Sequence, residues 1–157
     1  MPKVLFVCTG NICRSPTAEA GLRALAEKRG LADRLHIDSA GTTDYHAGEP
    51  PDRRAIAAAN RRGLDLKALR ARPLRPVDFE NFDLIVAMDR GHESELRAMS
   101  PAAHAGKIKL YMDFLPPGRT RDVPDPYYGS ARGFEEVLDT VEAGSAAILD
   151  AVMQKAE

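Results

Sequence analysis

The chain has 157 residues, 44% apolar and 29% charged, with 22 basic side chains against 23 acidic ones. That balance leaves no surplus of positive charge for tracking nucleic acid or lying on an anionic membrane, and the length suits one domain over residues 1–157 with a full core. No apolar run reaches the length of a membrane span, and the N-terminus lacks the basic region and long apolar segment of a signal peptide, so a cytoplasmic address is the default. Only two cysteines are present, Cys8 and Cys13. They argue against a disulfide framework and against a cysteine-based metal site.

Val4 to Val7 form a short apolar, β-favouring run that predicts a buried strand ending at Cys8. Thr9, Gly10 and Asn11 turn the chain, Gly and Asn being suited to positive φ. Ser15 reads as an N-cap with Pro16 at the first helical position. Ala18, Leu22, Leu25 and Ala26 then make an apolar stripe on a helix ending near Gly30.

A second strand is predicted over Leu35 to Ser39, followed by a turn-rich loop from Thr42 to Pro51 with Tyr45 and His46 at its tip. Asp52 is placed to cap a helix running to Arg62, with Gly63 at its end. The basic stretch Lys67, Arg70, Arg72 and Arg75 has no interleaved aromatics and reads as a solvated face. A third strand covers Asp83 to Met88 and is followed by Asp89. A helix over Glu93 to Met99, a strand over Ile108 to Met112 and a long helix from Gly133 to Lys155 complete the chain.

Strands alternating with helices predict an α/β fold, a doubly wound parallel sheet with helices on both faces. Ligands of such sheets sit at the carboxyl ends of the strands. Here Cys8, Ser39, Asp89 and Asp113 are expected on that rim.

The first strand, loop and helix make an anion cradle. Backbone amides of the loop and of the helix's first turn point inward, Cys8 lies at the centre and Arg14 at the edge, spaced Cys-x5-Arg. Arg holds two non-bridging phosphoryl oxygens at once, which Lys cannot. The same positive field favours the thiolate of Cys8. Complete ionisation raises the nucleophile's concentration only roughly 30-fold, about 2 kcal/mol, so most catalysis has to come from positioning and matched donors. The competing reading of Cys8 is plain core packing, and its place directly after a first strand argues against that.

A second piece of chemistry lies in Leu115 to Ser130, a long proline-rich loop of the functional kind. Asp125 stands there between prolines that limit its backbone. Displacing a phenolate requires a proton donor, because a phenol has a pKa near 10. A carboxyl group beside anions is disposed to keep its proton.

CTGNICRSP after the first strand, together with the later DPYYG at Asp125 to Gly129, resembles the two signatures of the low-molecular-weight protein tyrosine phosphatases, a likeness that runs through almost the whole chain. The resemblance implies strand order 2-1-3-4 in a four-stranded sheet. It implies hydrolysis of phosphotyrosine and aryl phosphate monoesters through a phosphocysteine, without metal or cofactor. On the matching positions Cys8 is the nucleophile, Arg14 the transition-state clamp, and Asp125 the acid and then the base. Thr9, Gly10, Asn11, Ile12, Cys13 and Ser15 surround the substrate's phosphoryl group. Asn11, Ser15 and Ser39 fix the loop, and Tyr45, Tyr127 and Tyr128 wall the ring.

The resemblance also implies phosphotyrosine proteins as substrates, a cognate tyrosine kinase, phosphate or sulfate as an active-site ligand, and a monomer. Many members carry a His, supporting the loop Asn, where this chain has Leu69. The four histidines His36, His46, His92 and His104 have no catalytic or ligand spacing and read as structural or surface residues. Cys13 reads either as a thiol that traps oxidised Cys8 as a disulfide or as filler behind the loop.

Arsenate reduction on the same scaffold shuttles a disulfide through further cysteines, which are lacking here. Arginine phosphatases tend to have Thr at the position of Ile12 and no paired tyrosines. A catalytically dead binding module would be expected to have lost Cys8, Arg14 or Asp125, and Cys-x4-Cys is not a redox spacing.

Overall fold

A computed structural model of the chain describes residues 1–118 and 120–154. Four strands, β1 (Lys3–Cys8), β2 (His36–Gly41), β3 (Leu84–Ala87) and β4 (Ile108–Leu110), form one parallel sheet in the order β2-β1-β3-β4. Among the described residues the α-helices are α1 (Arg14–Lys28), α2 (Arg53–Asn60), α3 (Asp78–Asn81), α4 (Arg90–Met99) and α5 (Ala131–Gln154). The doubly wound arrangement and strand order are those expected.

Alternation along β1 sorts the two faces. Val4, Phe6 and Cys8 join the cluster built on α1 and α5, where Leu22, Ala26, Val141 and Ile148 are buried. Leu5 and Val7 face the other way, toward Phe79 of α3 and Leu96 of α4. The apolar positions expected on the last helix, from Phe134 to Val152, are all buried. The predicted end of that helix, Lys155, lies outside the described residues.

Several boundaries differ from the sequence reading. β2 continues past Ser39 to Gly41, so Ser39 lies inside the strand and Gly41 pairs with Cys8. β4 stops at Leu110 because Tyr111–Phe114 tightens into a turn of 3₁₀-helix, so Asp113 lies in that turn and not directly at the strand end. α4 starts earlier, at Arg90, because Asp89 is its N-cap and accepts from the His92 amide at 2.9 Å. Asp52 caps α2 as predicted, accepting from the Arg54 amide at 2.8 Å.

Ser15 is not an N-cap. α1 begins at Arg14 with Cys13 before it, so the loop winds directly into the helix and frees the Ser15 hydroxyl for other work. The basic stretch is not uniformly solvated either. Arg72 is partly buried, its guanidinium clamped between Asp38 and Asp78 at 3.0 Å each. Among the described residues no helix is long and apolar enough to cross a membrane.

Candidate active site

The loop from Thr9 to Cys13 leaves the carboxyl end of β1 and is held from both sides. Beyond β2 the amides of Thr42 and Thr43 donate to the carbonyls of Cys8 and Thr9 at 2.9 and 3.1 Å, which extends the strand pairing into the loop. The Asp52 amide donates to the Ile12 carbonyl at 2.8 Å. Asn11 adopts φ of 59°, the one positive value at a non-glycine residue among those described. Asn tolerates this left-handed conformation better than most side chains.

The Asn11 side chain accounts for its own strain. Its Nδ2 donates to Ser15 Oγ at 2.8 Å and to Ser39 Oγ at 2.9 Å, while Oδ1 accepts from the Arg72 amide at 3.0 Å. Ser39 in turn donates to Glu19 at 2.7 Å, and Glu19 also accepts from Arg23. Ser15 Oγ, which accepts from Asn11, lies 2.9 Å from Cys8 Sγ, a contact in which either atom can donate.

Cys13, like Cys8, is free and buried. Burial, with Asp52 and Cys8 adding to it, pushes the Cys13 thiol well above the ordinary range, so it stays protonated at neutral pH.

Arg14 is 4% exposed, and one edge of its guanidinium is fully committed. Nη1 donates to Asp89 Oδ2 at 2.8 Å and to the Val123 carbonyl at 2.9 Å. Nη2 lies 3.7 Å from Asp125 Oδ2. Burial works against the ionised form of Asp89, but the His92 amide and Arg14 outweigh it and hold that carboxyl below the usual range.

His92 is buried behind the loop, with Nε2 2.7 Å from Thr9 Oγ1 and Nδ1 3.1 Å from Asp89 Oδ1. Nδ1 makes no hydrogen bond despite that proximity, and the ring's tautomer sets which of Nε2 and Thr9 Oγ1 donates. Burial and the nearby Arg14 lower the pKa of the ring, against the pull of Asp89.

A cleft of about 230 Å³ opens over this loop. Cys8, Thr9, Gly10, Ile12, Cys13 and Arg14 form its floor, and Thr43, Tyr45, His46, Asp125, Tyr127 and Tyr128 its sides. Tyr128 and Tyr45 are 91% and 80% exposed, so both can meet a docking partner. The side chains of Asn11 and Ser15 lie in the hydrogen-bonded network behind the floor and do not line the cleft.

His46, read from sequence as structural or surface, is a wall residue. It packs against Gly10 so closely that a Cβ there would come within 2.9 Å of its ring. Glu19, Asp89 and His92 are further members of the site that sequence reasoning passed over or left without a role. Among the described residues no three His, Cys, Asp or Glu side chains gather as a metal-ligating group.

Leu69 does not leave the loop Asn unsupported. It packs against the cluster between α2 and α5, and Asn11 is supported from this segment by the main-chain amide of Arg72.

Comparison with known proteins agrees with this geometry. Residues 3–157 match the family described as low molecular weight phosphotyrosine protein phosphatase. A low molecular weight protein-tyrosine-phosphatase of Streptomyces coelicolor is 46% identical over 160 aligned residues, covering 99% of this chain and 96% of the relative. YfkJ of Bacillus subtilis is 39% identical over 155 residues, covering 99% and 98%. A crystal structure of a protein tyrosine phosphatase from Entamoeba histolytica with Hepes in the active site superposes with a TM-score of 0.94 at 38% identity, all of each chain being covered.

Proposed function

The chain belongs to the low molecular weight phosphotyrosine protein phosphatase family, and on that footing we propose how its residues divide the work. The enzyme is a cysteine-dependent phosphatase that hydrolyses phosphotyrosine through a phosphocysteine intermediate. In our reading Cys8 is the nucleophile, Arg14 the clamp, and Asp125 the proton donor and later the base. The observation that carries the assignment is the 3.7 Å approach of Asp125 Oδ2 to Arg14 Nη2 in one cleft floored by Cys8. It brings together the two sequence motifs.

In the first step the Cys8 sulfur attacks phosphorus. The S–P bond forms as the bond to the phenolic oxygen breaks, and the Asp125 proton passes to that oxygen. Arg14 spans the equatorial oxygens with the edge that Asp89 and Val123 leave free, and loop amides meet the others. In the second step Asp125, now a carboxylate, takes a proton from water as its oxygen attacks phosphorus. The S–P bond breaks and inorganic phosphate leaves. Ser15 stabilises the departing thiolate as it stabilised the attacking one.

Tyr45, Tyr127, Tyr128 and His46 give the cleft aromatic sides against which a flat ring can pack. The Hepes bound in the Entamoeba histolytica relative carries a sulfonate, whose tetrahedral oxygens resemble a phosphoryl group, and it supports inorganic phosphate or sulfate as a ligand of this loop. A tyrosine kinase that supplies the phosphoprotein substrates completes the reading.

The test is turnover of phosphotyrosine, phosphoarginine and phosphoserine peptides side by side in chelator. Phosphotyrosine is expected to be the best substrate, with no activity left in Cys8→Ser. Activity surviving in that variant overturns the mechanism, and preference for phosphoarginine overturns the substrate.

A further inference from the structure

Asp125 sits in an irregular segment held at two points. Upstream, the buried Val123 donates its amide to the Met88 carbonyl at 2.9 Å and accepts from Arg14. Downstream, the anchor is Arg54 in the first turn of α2. Its Nη2 donates to the Tyr127 carbonyl at 2.9 Å, and its guanidinium lies 5.6 Å from the Tyr127 ring centroid and 4.8 Å from that of Phe134. Tyr127 passes the constraint on directly, since its amide donates to Asp125 Oδ1 at 3.0 Å.

Arg54 is itself fixed to the floor of the cleft. Asp52 holds it through its amide and Nε on Oδ1, and through Nη2 on Oδ2 at 3.0 Å. The Asp52 amide binds the Ile12 carbonyl of the catalytic loop. An unbroken path thus runs from Ile12 through Asp52, Arg54 and Tyr127 to the Asp125 carboxylate.

We propose that Arg54 is a positioning residue for proton transfer, registering the segment that carries Asp125 against the loop that carries Cys8. This rests on the reading of Asp125 as the proton donor. The geometry needs a planar fork, because one guanidinium satisfies a carboxylate and a carbonyl while its faces meet two aromatic rings. Lys offers only a point charge on a flexible stem and cannot do all of this. Displacement of a catalytic group by about 1 Å costs on the order of 10²-fold, so loss of one of two anchors is consequential.

The experiment measures kcat/KM for phenyl phosphate and 2,4-dinitrophenyl phosphate in the wild type, Arg54→Ala, Arg54→Lys, Asp125→Ala and the Arg54→Ala/Asp125→Ala double variant. The phenyl ester needs a proton on its leaving oxygen and the dinitrophenyl ester hardly does. Arg54→Ala is expected to lose about 10-fold or more on the first and under about 3-fold on the second, with Arg54→Lys following it. In the Asp125→Ala background the Arg54 substitution is expected to add less than about 2-fold, because the group it positions is gone.

Equal losses on both esters in Arg54→Ala, or fully additive losses in the double variant, overturn the proposal even where Asp125→Ala shows the graded pattern. A flat pattern in Asp125→Ala overturns the proton-donor assignment and this proposal with it. Arg54→Lys with wild-type values on both esters also overturns it.

Discussion

The main-chain amide of Arg72 donates to Oδ1 of Asn11 at 3.0 Å, tying the catalytic loop to a segment far along the chain. The same arginine's side chain is locked between Asp38 and Asp78, so the amide is held firmly in place. Asn11 therefore has one acceptor and two donor bonds satisfied while it holds a left-handed conformation.

Replacing Asn11 separates these contributions. Asn11→Gly keeps the backbone conformation and loses the three bonds, whereas Asn11→Ala loses both. Each buried polar group left without its partner costs about 1–3 kcal/mol. We expect Asn11→Ala to be the less stable and the less active of the two, and Asn11→Gly to retain folding with kcat/KM reduced at least about 10-fold. Urea unfolding and turnover of an aryl phosphate check both, and equal defects in the two variants would argue that strain at this residue is unimportant.

The Ser15 hydroxyl is predicted to act on the sulfur, not on the fold. Ser15→Ala removes the donor 2.9 Å from Cys8 and leaves the second Asn11 bond, to Ser39, in place. A charge-assisted hydrogen bond is worth about 1.5–3 kcal/mol, so turnover limited by breakdown of the phosphocysteine should fall about 10- to 100-fold. The steady state should slow relative to the initial burst of phenol, because departure of the sulfur from phosphorus is the step that loses the donor. A burst and steady state both equal to wild type would place the hydroxyl outside that step.

What was legible in the sequence and what was not divides along physical lines. The β1 run announces itself because both faces of that strand are buried, and the apolar face of α5 because burial imposes a helical period on its side chains. Cys8, Arg14 and Asp125 are legible because each sits in a local pattern whose chemistry needs that residue type. Ser15 was misread because Ser-Pro is also how helices begin, and only the winding of the loop into α1 at Arg14 excludes it from that role.

Glu19, Asp89, His92 and Arg54 act through partners distant in sequence. A buried Glu beside the stripe of α1, and an Asp and a His spaced as Asp-x2-His at a helix start, were the only available hints. For Arg54 the sequence held no sign, because its role depends on Tyr127 coming within reach of its guanidinium.

Burial of His92 ties stability to pH. Its folded-state pKa lies below the ordinary value near 6.5, with burial the leading cause and Arg14 second. The unfolded chain therefore binds the proton first. Stability is complete above about pH 6.5 and declines as pH falls from there toward the depressed folded value, by at most about 1.4 kcal/mol per pH unit from this one group. Asp89, also held low, contributes its own loss only at more acid pH, below the ordinary carboxylate range. Urea midpoints between pH 8 and 5 should show the decline in the wild type and a flatter profile in His92→Gln. Parallel profiles would assign the acid sensitivity to other groups.

Gly41 tests whether the loop's shape depends on the strand beside it. A Cβ at this position would sit 2.7 Å from the Thr9 carbonyl oxygen and 3.1 Å from the Gly10 carbonyl carbon. Both are main-chain atoms of the catalytic loop, so no flexible side chain can yield. The Thr9 carbonyl is also fixed by the amide and the hydroxyl of Thr43, at 3.1 and 3.0 Å. An added methyl must therefore push the loop away from β2 and disturb the amides proposed to meet the phosphoryl group. Gly41→Ala is expected to weaken inhibition by inorganic phosphate at least about 10-fold and to lower kcat/KM by a similar factor, while the protein stays folded. Phosphate inhibition constants and thermal melting of the two proteins decide it. Unchanged phosphate inhibition would mean that the loop accommodates the methyl group without moving its donors.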